Sequence, residues 1–196
     1  MFWKKKKTKN IETKNVIISL DNYSDIFSDF DPRPYNVKAI SSDLISELDR
    51  VDPELNYDKY HVIFVIPKEQ RILKDETIIK KRLSEFFNKE YLIHKTHQNK
   101  IIKQGSLFIS LGVIVIFLFF YLLPKYPDLL STFSFIQIIF ELIGWFLLWE
   151  GLNLLVFDSK EKQSTIKFYK LVSDAKFTFV NDKHIDGERR SLWINL

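Results

Sequence analysis

Charged residues are absent from one long stretch of the chain, and this is the clearest feature of its hydrophobic pattern. No charged residue lies between Lys103 and Lys125, and the residues Gly105–Leu123 are nearly all apolar. A helix of that length spans about 28 Å, close to the hydrocarbon thickness of a bilayer. A core helix of a soluble protein is rarely apolar on every side for so long. The stretch therefore predicts a first transmembrane helix over residues 101–123.

A second apolar stretch, residues 129–157, follows a turn over residues 124–128 that contains Pro124 and Pro127. Because proline ends a helix, the two stretches are expected to form a hairpin. Of the 29 lysines and arginines, 20 lie at or before Lys103, one lies in the turn and eight follow the second span. The positive-inside rule therefore predicts a multi-pass protein of the inner (cell) membrane, with both termini in the cytoplasm.

Small and polar residues interrupt the second span at heptad-like intervals of three and four: Ser134, Gln137, Glu141, Gly144, Leu148 and Gly151. Glu141 falls near mid-bilayer, where an ionised carboxylate costs about 2.5–3.5 kcal/mol on insertion scales. Counting from the turn places Gly112 opposite Glu141, with Ser110 within one turn. The pattern predicts a packing seam, either inside the hairpin or between copies in a homo-oligomer. The alternative is an ion or proton pathway lined by Glu141.

Two further groups of residues suit the surface of the bilayer. Trp145 and Trp149 are expected at the inner interface, with Glu150 at headgroup depth. Residues 1–13 form a basic tail, in which an aromatic pair and a lysine run favour contact with anionic lipid: Phe2, Trp3, Lys4, Lys5, Lys6 and Lys7. No apolar segment follows, so the tail is not a signal peptide. The lysines lack interleaved aromatic residues, which argues against nucleic-acid binding.

Outside the hairpin, the pattern predicts one small α/β domain. Apolar, β-branched runs predict four strands: Val16–Leu20, His61–Ile66, Lys176–Val180 and Ser191–Leu196. Amphipathic spacing predicts a helix capped near Ser41 or Ser42, a helix from Asp75 that runs directly into the first span, and a short helix from Ile166 after polar residues 158–163. The spacing of the first two strands favours a parallel crossover, with all strands in one mixed sheet.

The predicted fold is thus an α+β membrane protein, a two-helix transmembrane hairpin with a small cytoplasmic mixed α/β domain built from both termini. Residues 14–100 hold the first part of the domain and a stalk helix. Residues 158–196 hold the helix and strands that complete it.

The composition offers little catalytic chemistry. The chain has no cysteine, which removes disulfides and thiolate metal sites, and Gly187 is the one glycine of five outside the hairpin, so a glycine-rich phosphate loop is absent. Asp21, Asp25 and Asp29 recur at helical spacing, and a divalent-metal site in a membrane-surface enzyme is one hypothesis for them. The segment lacks the glycine and glutamate of an EF-hand loop. We therefore expect no cofactor, no metal and no catalytic residue.

Two sets of residues together resemble a known pattern. One set is the strand ending in Leu20, the loop residues Asp25-Ile26-Phe27 and Asp31-Pro32-Arg33-Pro34, and the strand closed by Pro67. The other is Trp145–Trp149-Glu150, together with the aromatic residue Phe157 at the end of the second span. The arrangement resembles prokaryotic two-span membrane proteins with a small cytoplasmic α/β domain. This resemblance implies a location and an architecture, and no activity.

Together these features favour a non-enzymatic inner-membrane anchor or scaffold. Its cytoplasmic domain would bind a protein partner, and its hairpin would lie in the lipid bilayer and self-associate. The alternative is a small oligomeric pore or transport subunit with Glu141 in the membrane pathway.

Overall fold

The computed structural model describes residues 13–51, 57–122, 125 and 134–181. Its strands are β1 (Thr13–Ser19), β2 (Lys59–Ile66) and β3 (Lys176–Asn181). Its α-helices are α1 (Ser42–Arg50), α2 (Leu73–Leu122), α3 (Ser134–Asn153) and α4 (Ser159–Ser173). Short 3-10 turns occupy Tyr23–Ile26 and Lys68–Gln70, and a π-helical turn, Leu154–Asp158, joins α3 to α4.

The chain divides into two compact units. The first, which we call the α/β unit, comprises the residues up to Tyr91 and those from Lys167 onward. The second, the hairpin unit, comprises Leu92–Ile166.

The three strands of the α/β unit form a parallel sheet in the order β1-β2-β3. Three of the four predicted strands are confirmed, as is the parallel pairing of the first two. The predicted fourth strand, over residues 191–196, lies outside the described residues. The described sheet is therefore parallel rather than mixed.

One face of the sheet carries the core. In register, Val16 pairs with Val62, which pairs with Phe177, and Phe64 pairs with Phe179. The ring centroids of Phe64 and Phe179 lie 5.2 Å apart. Helices add further buried side chains to the same cluster: Leu44 and Leu48 from α1, Ile79, Leu83 and Phe87 from α2, and Phe168 and Val172 from α4. The opposite face is more open, since Ile17 there is exposed.

Helix α1 begins where its sequence predicts. The hydroxyl of Ser41 accepts a hydrogen bond from the backbone N–H of Asp43 at 3.1 Å, which satisfies one unpaired donor of the first turn. The backbone N–H of Ser41 donates to the carbonyl of Ile26 at 3.0 Å. The cap is therefore tied to the preceding loop.

Helix α2 is 50 residues long, or about 75 Å at the usual rise per residue. It confirms the predicted uninterrupted helix, although it begins at Leu73 rather than Asp75. The end of the hairpin differs from prediction, because no separate short helix follows the polar segment. Instead, the π-helical turn keeps the chain helical from Ser134 to Ser173. Two of these long helices are apolar enough to cross a membrane.

The core predicts that replacing two phenylalanines, one buried and one exposed, has unequal effects on the free energy of unfolding. Phe64 is 0% exposed and Phe30 is 97% exposed. Phe64→Ala should lower the free energy of unfolding by about 3–5 kcal/mol because it leaves a cavity. Phe30→Ala should change it by less than about 0.5 kcal/mol. Urea titration of the full chain in mild detergent measures both, and equal effects would contradict the assigned core.

Candidate functional site

The two helices of the hairpin pack at glycine. A Cβ atom at Gly151 would lie 2.7 Å from the carbonyl oxygen of Gly105 and 2.8 Å from the backbone nitrogen of Ile109. A Cβ atom at Gly112 would lie 3.1 Å from the carbonyl oxygen of Gly144. These distances leave no room for a side chain between the backbones. Small residues are what allow two membrane-type helices to approach so closely.

The glycine contacts place part of the predicted seam inside the hairpin. Gly144, Leu148 and Gly151 face α2, and the seven-residue spacing of the glycines matches on the two antiparallel helices. The predicted partner of Glu141 needs correction, because Gly112 contacts Gly144 and Leu148 instead. The side chains of Ser134 and Gln137 lie outside what the structure describes.

Glu141 is exposed. Within the described part of the chain, its carboxyl group has no hydrogen-bond or ion-pair partner. The hydroxyl of Ser110, expected nearby, donates to the carbonyl of Ser106 at 2.8 Å in its own helix. Trp145 and Trp149 are also exposed, and Glu150 is half-buried. Among the described residues, Glu141 is therefore an exposed carboxyl group without a partner.

Side-chain contacts join α2 to α4 at the other end of the hairpin unit. The amide of Gln98 donates to the carbonyl of Ser159 at 3.0 Å. The ammonium group of Lys162 lies 3.0 Å from Nδ1 of His97. An ammonium group only donates, so the imidazole nitrogen is the acceptor in this contact. No sequence motif signals these contacts, because their partners lie 61 and 65 residues apart.

A buried polar cluster lies in the α/β unit, at the edge where β2 and β3 end. The carboxylate of Glu76 is 3% exposed. Its two oxygens accept from the guanidinium of Arg71 at 2.7 and 3.1 Å. One of them also accepts from the hydroxyl of Tyr23 at 3.3 Å. Arg71 donates further to the side-chain oxygen of Asn181 at 2.8 Å.

The electrostatics of this cluster follow from its burial and its ion pair. Desolvation by burial raises the pKa of Tyr23, while the N–H of Ile72 donates to its hydroxyl and partly opposes the rise. The hydrogen bond to Glu76 raises the pKa of Arg71. Ligands of parallel α/β sheets often bind at this edge. Here, however, the polar groups bond to one another, so the cluster ties the start of α2 to the end of β3.

The aspartates of the loop after β1 are engaged in local hydrogen bonds. One oxygen of Asp25 accepts from the backbone N–H groups of Asp21 and Asn22 at 2.7 and 3.1 Å. Asp31 accepts from the guanidinium of Arg33 and from the N–H of Ala39, and these bonds hold its pKa well below its usual range. The residues that the structure describes contain no group of three potential ligands placed for a metal ion.

The lipid-contact tail, Phe2 to Lys7, lies outside the described residues, so its contact with lipid stays a prediction. No protein-family model, curated protein or solved structure matches the chain.

The contacts of Gly151 and Gly144 predict that adding one methyl group at each position has unequal effects on the stability of the hairpin. At Gly151 a Cβ would meet backbone atoms, whereas at Gly144 its closest neighbour is the side chain of Ile116 at 2.6 Å. Gly151→Ala should therefore destabilise the hairpin by about 1–3 kcal/mol, because the helices must separate. Gly144→Ala should cost less, because a side chain can move. Melting temperatures of the full chain in detergent rank the two, and the reverse order would contradict this packing.

The buried polar cluster around Glu76 predicts how removing the charge of Glu76 affects stability. Glu76→Gln should lower the free energy of unfolding by about 1.5–3 kcal/mol, since it replaces hydrogen bonds to a charged group and leaves Arg71 without its counterion. Asp75→Asn is the matched control, because it removes a carboxylate from the same helical turn outside the cluster. Its cost should be below about 1 kcal/mol. Urea titration measures the free energy of unfolding of both variants. Similar losses in the two variants would show that the effect comes from removing a carboxylate at the start of α2 and not from the cluster.

Proposed function

We propose that this chain is an integral protein of the inner (cell) membrane. Its hairpin crosses the bilayer twice and anchors a cytoplasmic α/β domain, which binds a protein partner without catalysis. The observation that carries this proposal is the pairing of β2 with β3 in one sheet. Strand β2 precedes the apolar hairpin in sequence, and β3 follows it.

The surface of the hairpin supports membrane insertion. Only 11% of the most apolar part of α2 is buried, and large apolar side chains such as Phe117, Phe120 and Phe146 are exposed. A core helix of a soluble protein would be mostly buried. Leaving such area in water costs about 25 cal/mol per Å² of apolar surface, and a bilayer removes that cost.

The pairing of β2 with β3 supports an even number of membrane crossings between these two strands. Strand β2 precedes the hairpin, β3 follows it, and the two are hydrogen-bonded from His61–Lys176 to Ile66–Asn181. Two strands of one sheet must lie on the same side of a membrane, because a bilayer cannot separate them. The excess of lysine and arginine on the flanks of the hairpin favours the cytoplasmic side.

The loop around Phe30 supports a role in partner binding. Phe30 is almost fully exposed, although the residues next to it are firmly held. Ala39 donates to Asp31 at 2.7 Å, and the N–H of Ser28 donates to the carbonyl of Ala39 at 2.9 Å. A large aromatic side chain on a preorganised loop loses little entropy on binding and is typical of interface hot spots.

A second candidate function is an oligomeric pore or transport subunit. The exposed carboxyl group of Glu141 favours it, because intramembrane ionisable residues commonly line ion or proton pathways. Two helices cannot enclose a pathway, so this function requires several copies around one axis.

Cysteine labelling tests the proposed topology, since the chain has no cysteine of its own. Lys125→Cys in the turn should react with a membrane-impermeant maleimide on intact cells. Lys59→Cys in β2 and Lys176→Cys in β3 should react only after permeabilisation. Labelling of either strand on intact cells, or of the turn only after permeabilisation, would overturn the proposed orientation.

A further inference from the structure

We propose that four residues of the hairpin unit bind the phosphate headgroup of an anionic phospholipid. They are His97, Lys100 and Lys103 of α2 and Lys162 of α4, and we call them the basic site. The inference rests on the proposed membrane crossing. It goes further by naming a class of ligand and the side chains that recognise it.

Positive charge is unopposed along the part of α2 that adjoins the apolar span. No aspartate or glutamate lies within residues 91–127. Three lysines lie within the ten residues before Gly105: Lys95, Lys100 and Lys103. Residues 158–162 of the neighbouring segment carry two lysines and two acidic residues, so they do not cancel this excess. The excess of positive charge beside a span favours an anionic lipid.

The lysines of α2 lie at the depth of lipid phosphates. A Cβ atom at Gly105 would lie 3.0 Å from the carbonyl oxygen of Gly151, so the packed hairpin extends to this level. Lys103 and Lys100 precede Gly105 by about 3 and 7.5 Å along the helix axis. The headgroup layer is about 5–7 Å thick on each side of the hydrocarbon. Both lysines are exposed, and the unbroken helix fixes their depth.

A contact between α2 and α4 brings a further lysine to the site. Nζ of Lys162 lies 3.0 Å from Nδ1 of His97. Lys100 follows His97 by three residues, so it lies on the same face of α2, one turn closer to the span. An ammonium group has three N–H donors, so Lys162 can donate to a phosphate as well as to His97. Two ammonium groups from different helices thus flank one position.

The location of the basic site identifies the source of the phosphate as a lipid. A bilayer presents phosphates at this depth on every side of the hairpin, whereas a soluble phosphate would have to enter the headgroup layer from water. The excess of lysine and arginine places this end of the hairpin at the cytoplasmic leaflet, where anionic lipids are common. A zwitterionic headgroup would bring its own cation among the lysines, so a lipid of net negative charge is the better ligand.

Lipid titration of the full chain in mild detergent tests the site, with bound lipids counted by native mass spectrometry. Phosphatidylglycerol should bind more tightly than phosphatidylcholine. Lys100→Gln and Lys162→Gln should each weaken phosphatidylglycerol binding about fivefold and leave phosphatidylcholine binding unchanged. Lys100→Arg should keep the preference, because it keeps the charge. Equal affinity of the unsubstituted chain for the two lipids would overturn the proposal.

Lys160→Gln is the matched control for Lys162→Gln. Lys160 is an exposed lysine of the same helix, but it lies about 160° around α4 from Lys162. Its replacement should change phosphatidylglycerol binding little. An equal loss in the two variants would show that the lipid responds to charge at this depth and not to the basic site. Displacement of phosphatidylglycerol by inorganic phosphate at the same concentration would exclude a lipid as the preferred ligand.

The Lys125→Cys labelling separates failure of this inference from failure of the proposed function. If the turn is labelled from outside while the two lipids bind equally, the basic site is wrong and the membrane hairpin stands. If the turn is inaccessible on intact cells, the membrane crossing on which both depend is wrong.

Discussion

The parallel pairing of β2 with β3 is the contact on which the rest of the α/β unit depends. It joins two segments that the entire hairpin separates in sequence, from Ile66 to Lys176. Closing so long a loop costs entropy, but the cost grows only slowly with length, and a helical hairpin returns the chain toward its starting point. Once paired, the strands bring the start of α2 and the end of α4 into one core.

The glycine packing plays the corresponding role in the hairpin unit. Gly105, Gly112, Gly144 and Gly151 are used in the contact between α2 and α3, so these glycines are not available to another molecule. The exposed surface of the hairpin offers aromatic and aliphatic side chains and the carboxyl group of Glu141. The internal contact therefore decides which residues remain available for association.

Polar groups within the α/β unit serve mainly to hold loops and helix ends. Glu76 and Arg71 join the start of α2 to β3, and Asp31 with Arg33 braces the loop that exposes Phe30. Removing Arg71 would leave the buried carboxylate of Glu76 without its counterion, which is why this pair matters for stability.

Local sequence determined most of the elements. Neither proline nor glycine lies between Asp75 and Gly105, so α2 could be predicted as one helix, and Ser41 marked the cap of α1. The seven-residue glycine spacing and the isolated Glu141 were also visible. Tertiary structure decided that Gly112 meets Gly144, that Glu141 is exposed, and that Arg71 joins Glu76 to Asn181. Helix and strand formation depend on near neighbours, whereas these contacts depend on how antiparallel helices align and on residues up to 110 positions apart.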